Sequence, residues 1–191
     1  ILGAYSMGIR NMLCLSGDHQ QFGNNPESKN VYDIDSMQLI ALVKKMRDEG
    51  KFLNNEKIDI SPKMFIGAAS NPFANPNEFR VYRLANKIDA GADFIQTQCI
   101  YNMDRFREFM KKVVDMGLAD KTYILAGVTP MKSVGMAQYM AKMVPGMDVP
   151  KDLIKRLKGV QKTKQSEEGI KFAIEQINEF KEMPGVAGVH L

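Results

Sequence analysis

The chain has 191 residues, 45% of them hydrophobic and 25% charged, which is the composition of one soluble domain with a core of its own. Twenty-six basic against 22 acidic residues leave a net charge of +4, spread along the chain, and this does not fit a nucleic-acid-binding surface. No apolar run approaches the ~18 residues of a spanning helix, so neither a membrane span nor a secretory leader is expected.

The chain opens on Ile1, and Leu2 to Gly8 reads as the last turn of a helix already under way, so a preceding segment is expected in the natural protein. Arg10 to Leu15 is a short apolar run ending in Ser16-Gly17-Asp18, which predicts a buried strand and a tight turn. Gln20 to Asn30, rich in Asn, Gln, Gly and Ser, predicts an exposed loop. Asp33 and Asp35 are candidate N-caps for a helix carrying Leu39, Leu42, Val43 and Met46, closed by Gly50. Lys63 to Ala69 is the second strand and ends in Ser70-Asn71-Pro72. Val81, Leu84, Ala85 and Ile88 mark the next helix face, and Gly91 stops it.

The following strand starts Phe94-Ile95 and turns polar at Gln96-Thr97-Gln98. Two long amides at i and i+2 share one strand face and would look into one cleft, or would cap the strand end against nearby loops. Phe106, Phe109, Met110, Val113 and Val114 predict an amphipathic helix ending at Gly117, and Thr122 to Gly127 is the fourth strand. Lys132 to Lys142 reads as a short helix, Pro145 to Pro150 as a minimal strand, and Lys151 to Lys164 as a solvated helical face. Ile170, Ala173, Ile174 and Ile177 predict a long last helix with Ser166 as N-cap, and Gly185 to Leu191 a final strand.

Strands and helices alternate, and the strands lack polar alternation, which predicts an α/β fold with a parallel sheet covered on both faces. The candidates are an open doubly wound sheet and a closed (β/α)8 TIM barrel. No G-x-G-x-x-G or Walker pattern follows a strand, which disfavours the sheet. A barrel typically takes about 250 residues. The expectation is therefore a single, incomplete barrel domain over residues 1–191, covering about its third to eighth strands and lacking the first units and last helix.

In a barrel the chemistry sits at the carboxyl ends of the strands. Those ends carry Ser16-Gly17-Asp18, Ser70-Asn71, Gln96-Thr97-Gln98, Thr129 and His190. No cluster of Cys, His and carboxylates stands at ligand spacing, so no metal site is expected. The lone His190 reads as a structural hydrogen-bonder before it reads as a base. Amides, hydroxyls and backbone groups suit a flat heteroaromatic ligand such as a flavin or pterin, with the hard chemistry belonging to the cofactor. Cys14 and Cys99 lack nearby partners and read as buried free thiols of a reducing, cytoplasmic compartment.

Leu15-Ser16-Gly17-Asp18-His19-Gln20 with Val31-Tyr32-Asp33, Gly67 to Phe73, Ala90 to Gln98, Leu125 to Ser133 and the closing Gly188 to Leu191 together resemble methylenetetrahydrofolate reductase, in the variants of anaerobic bacteria and archaea. The resemblance covers essentially the whole chain. It implies a (β/α)8 barrel with a non-covalent flavin, FAD or else FMN, that takes hydride from NAD(P)H or another donor and reduces 5,10-methylenetetrahydrofolate to 5-methyltetrahydrofolate. It implies that Asp18 is the catalytic carboxylate by the flavin and folate, and that Gln98 holds the pterin. It implies that Leu15, Ser16, Gly17, Asp18, Tyr32, Asp33, Ala69 and Gln96 line the flavin, and that Lys87 and Arg83 offer cations to its diphosphate. Without the motif Lys87 would read as a surface lysine.

Two departures follow from the same comparison. Ser16 stands where some members have an Arg on the flavin. The family's general acid, a Glu on the first strand, has no counterpart here and is expected in the preceding segment. A partner redox subunit, a homo-oligomer or a hetero-complex is expected, with no nucleic acid or membrane partner. The competing functions are a non-catalytic barrel subunit of a larger redox complex and a pterin-dependent methyltransferase barrel.

Overall fold

The computed structural model describes residues 1–191, the side chain of Phe22 excepted. The strands are β1 Asn11–Cys14, β2 Phe65–Ser70, β3 Phe94–Cys99, β4 Tyr123–Gly127 and β5 Val186–His190. The helices are α1 Leu2–Ser6, α2 Ser36–Asp48, α3 Arg80–Ala90, α4 Met103–Asp115, α5 Val134–Met143, α6 Lys151–Lys158 and α7 Gln165–Lys181. The strands lie in sequence order, β1-β2-β3-β4-β5, with helices on every connection. The fold is α/β with a parallel sheet, as the unbroken apolar runs predict.

The chain forms two compact units. The first comprises residues Ile1–Ala69 and Asn86–Phe94. Within it β1 pairs parallel with β2, from Asn11 opposite Phe65 to Cys14 opposite Ala68. Its core holds Cys14, Ile40, Val43, Met46, Met64, Ile66 and Ala68. Asp35 caps α2 in a reciprocal box with Gln38, so Asp35 and not Asp33 is the N-cap. Asp93, just past the Gly91 stop, accepts from the Ile66 amide at 2.7 Å and from Arg47 Nη1 at 2.5 Å, which ties the start of β3 to β2 and α2. The predicted loop from Gln20 opens on one 3-10 turn, Gln20–Phe22.

The second unit comprises Ser70–Ala85 and Ile95–Leu191. There β4 pairs parallel with β5, Ile124 opposite Val186 and Gly127 opposite His190, with an irregularity that skips Ala187. Tyr101, Met131, Ala137, Leu153 and Leu157 form one buried cluster. Leu153 and Leu157 belong to α6, so the basic stretch from Lys151 is amphipathic and not a wholly solvated face.

Three further expectations are corrected. Residues Pro145 to Pro150 form no strand. This segment is held by side chains instead, Asp148 receiving Asn102 Nδ2 at 3.0 Å and the Arg105 guanidinium. The last helix starts at Gln165 from a 3-10 turn at Lys162–Lys164, so Ser166 is inside it and caps nothing. Its buried face is Gln165, Gly169, Ala173, Gln176 and Phe180, whereas Ile170 and Ile174 are 47% and 52% exposed. The helix lies so close to the loop after β4 that a Cβ on Gly169 would stand 1.9 Å from the Met131 carbonyl oxygen. Gln176 Nε2 donates to the Ile100 carbonyl at 2.6 Å. Among the described residues no helix is long and apolar enough to cross a membrane.

Candidate functional site

The first unit holds the turn after β1 and the end of β2. Leu15, Ser16, Gly17 and Asp18 are exposed, as are Tyr32 and Asp33 further on. Gly17 has φ 77, and no atom lies within 4 Å of where its Cβ would stand, so the turn offers an open backbone face that a side chain would fill. Ser16 Oγ accepts from the Ser36 amide at 3.0 Å and so anchors the turn to the first residue of α2. Among the described residues the Asp18 carboxylate has no hydrogen-bond or ion-pair partner.

Lys87 is not a surface lysine. It is 9% exposed, and its Nζ donates to the Ala69 carbonyl at 2.6 Å. The end of β2 and the last turn of α3 are thereby joined by a cation turned inward, since a buried ammonium must be satisfied by acceptors. Ala69 and Lys87 are thus brought together within this unit.

In the second unit Gln96 and Gln98 alternate with the buried Ile95 and Thr97, so both amides share one face of β3. Both are half-buried, and among the described residues neither amide has a hydrogen-bond partner. They do not cap the strand end against neighbouring loops. The backbone beneath them is fixed by neighbours. Thr97 Oγ1 donates to the Gln98 carbonyl at 2.9 Å and accepts from the Gly127 amide at 2.9 Å. The Thr97 carbonyl lies 2.9 Å from His190 Nε2. Arg83 stands exposed on α3.

Just beyond, Cys99 Sγ is 3.1 Å from Thr129 Oγ1, and Tyr101 donates its hydroxyl to the Thr129 carbonyl at 3.1 Å. Burial pushes the Tyr101 hydroxyl well above its ordinary range, so it is a fixed donor and not an acid. Cys14 and Cys99 are both free thiols, but only Cys14 is fully buried, whereas Cys99 is half-buried. A cavity of about 520 Å³ between α4 and α7, floored by Met110, Val114 and Met183, adjoins the start of β5, the strand end opposite His190. Among the described residues no three His, Cys, Asp or Glu side chains group as a metal site.

Gly127 and Tyr101 take no role in the sequence reading, and Thr97 figures there only as one polar residue of a strand end. The signal for Thr97 and Gly127 was present, since Thr97 stands between the two glutamines and Gly127 ends an apolar run where a side chain would otherwise be expected.

The family model for methylenetetrahydrofolate reductase matches residues 1–191. The chain belongs to the methylenetetrahydrofolate reductase family. It is 27% identical over 139 residues to a 5,10-methylenetetrahydrofolate reductase of Pectobacterium carotovorum subsp. carotovorum, covering 73% of this chain and 40% of that protein. It is 23% identical over 163 residues to a probable methylenetetrahydrofolate reductase (NADPH) of Caenorhabditis elegans, covering 83% of this chain and 22% of that one. The chain therefore spans less than half the length of either reductase. Among solved structures, an uncharacterized protein from Clostridium thermocellum that binds two copies of 5-methyl-5,6,7,8-tetrahydrofolic acid aligns at a TM-score of 0.49 with 19% identity, over 69% of this chain and 47% of that one.

Proposed function

We propose that this chain is the flavin- and folate-binding part of a reductase that converts 5,10-methylenetetrahydrofolate to 5-methyltetrahydrofolate. The observation that carries the reading is the pair of unpartnered amides, Gln96 and Gln98, on one face of β3, in a chain matched to the reductase family along its whole length. These half-buried amides spend none of their hydrogen-bonding capacity on the described residues of the protein, so both are free to bond a ligand. A heteroaromatic ring edge with alternating donors and acceptors matches them.

The donor set of the first unit fits a flavin. The open face at Gly17, the exposed Leu15 and Tyr32 and the end of β2 at Ala69 suit a flat ring, and the inward Lys87 suits a diphosphate. Ser16 and Asp33 take part in the same lining of the first unit, and the family resemblance implies flavin contacts for Gln96 and Arg83 as well. A bound flavin, FAD or FMN, would supply the hydride chemistry between NAD(P)H or another donor and the folate, whose opened ring nitrogen would take up a proton. The protein's own residues bind and orient. Asp18, whose carboxylate has no protein partner among the described residues, accepts from the pterin beside the flavin. Gln98 presents a donor and an acceptor to the pterin edge and sets its approach. The strand order runs without the reversal that a doubly wound sheet has, which supports the (β/α)8 barrel as the frame.

The test is direct. Freshly purified protein, denatured and clarified, releases FAD or FMN on chromatography. Protein that carries neither contradicts the reading.

A further inference from the structure

We infer that His190 is the positioning residue for Gln98, acting across Gly127 through the Thr97 carbonyl. This rests on the proposed folate role of Gln98.

Gln98 has no side-chain partner among the described residues, so its direction comes from its own backbone. That backbone is clamped around the Thr97–Gln98 peptide. Gly127 donates its amide to Thr97 Oγ1, Thr97 Oγ1 donates to the Gln98 carbonyl, and His190 Nε2 meets the Thr97 carbonyl at 2.9 Å. The first two bonds act through the Thr97 hydroxyl. The third holds the carbonyl itself and so resists rotation of the plane that carries Gln98.

The path is open for one reason. His190 pairs with Gly127 in the β4–β5 register, so side chains at the two positions would share a face. A Cβ on Gly127 would stand 2.7 Å from Thr97 O and 3.0 Å from the Gln98 carbonyl carbon. The missing side chain lets the imidazole reach over β4 to the carbonyl on β3.

The chemistry of this contact also states what His190 does not do. A carbonyl only accepts, so Nε2 carries the proton in either charge state of the ring. That proton is committed to Thr97, and a ring that passed it to substrate would release the strand it holds. His190 therefore orients and does not serve as the acid or base.

The experiment combines kinetics and nitrogen NMR on the protein. The chain has two histidines, so loss of one signal in a His190 variant assigns the other. The expected signature is a His190 ring protonated at Nε2, and a ring with a bare Nε2 overturns the inference. His190→Leu is expected to raise KM for 5,10-methylenetetrahydrofolate about threefold to tenfold, the effect of losing one hydrogen bond. Flavin content and flavin reduction by the donor stay within about twofold. His190→Gln, which keeps an N–H at similar reach, recovers most of the loss. The double variant His190→Leu/Gln98→Ala is no worse than Gln98→Ala alone, because both act on one contact.

If Gln98→Ala raises KM and His190→Leu does not, the positioning role is wrong and the folate reading stands. If Gln98→Ala leaves KM unchanged, the folate role of Gln98 falls and this inference with it. Equal losses in His190→Leu and His190→Gln assign the effect to ring shape and also overturn the inference. Should His190→Leu fail to fold, His190→Asn, too short to reach Thr97, takes its place.

Discussion

The ring of Phe94 occupies the space where a side chain on Gly67 would be, and a Cβ there would stand 2.2 Å from Phe94 Cζ. The ring also stacks on Phe65 with centroids 5.3 Å apart, so β2 and the start of β3 close on each other only because residue 67 is glycine. Gly67 lies two residues before Ala69, whose carbonyl holds Lys87, so a shift here is felt at the end of β2. Gly67→Ala is expected to destabilise the protein by about 1–3 kcal/mol through overpacking. Urea unfolding checks it, and Phe94→Leu in the same chain returns part of the loss. An unchanged midpoint for Gly67→Ala contradicts the packing argument.

Asp93 offers a second check on the same corner. One carboxylate oxygen receives both the Ile66 amide and Arg47, and the two ion-pair side chains are 27% and 19% exposed. Asp93→Asn removes the charge and is expected to cost about 1–2 kcal/mol, the lower part of the range for a charged hydrogen bond because water still reaches the pair. Thermal unfolding at low and high salt measures it, with the gap between wild type and variant narrowing little at high salt.

Burial pushes the Cys14 thiol up to about 11 from an ordinary value near 9. The unfolded chain then loses this proton first as pH rises. The stabilisation is fully present below about pH 9 and is lost as pH climbs toward 11. Denaturant midpoints across this window should fall, and Cys14→Ala should flatten part of the fall. At pH 8, an alkylating reagent followed by mass spectrometry should label Cys99 faster than Cys14.

Much of this architecture was legible because a buried parallel strand is an unbroken apolar run, and the runs at Met12, Ile66 and Ile124 are all strands, as is the Phe94-Ile95 stretch that turns polar. The face of α7 was not. A periodicity rule favours the larger apolar residues, Ile170 and Ile174, but contact with the Met131 carbonyl requires Gly169, and the Ile100 carbonyl requires Gln176. Pro145 to Pro150 looked extended and apolar, yet Asp148 is fixed by Arg105 and Asn102 and not by a ladder. At the site, the glutamines were visible as polar residues interrupting a strand. The burial of Lys87 was not, since a helical lysine is ordinarily exposed. Nor was the contact of His190 with Thr97, which needs the bare Gly127 between strands far apart in the chain.

The proposed roles of Asp18 and Gln98 separate kinetically. Asp18→Asn should slow hydride delivery to the folate more than flavin reduction by the donor, since the lost charge faces the folate. Gln98→Ala should weaken folate binding about threefold to tenfold while flavin content stays near normal. Rapid-mixing measurements of the two half-reactions check both, and loss of flavin from Gln98→Ala would place that residue on the other ligand.

The most direct measurement follows the bound flavin. The purified full-length protein is reduced anaerobically with one equivalent of dithionite and mixed with 5,10-methylenetetrahydrofolate. The account predicts that the oxidised flavin absorbance returns in full, with one 5-methyltetrahydrofolate formed per flavin. A flavin that stays reduced, or that reoxidises without forming 5-methyltetrahydrofolate, contradicts it.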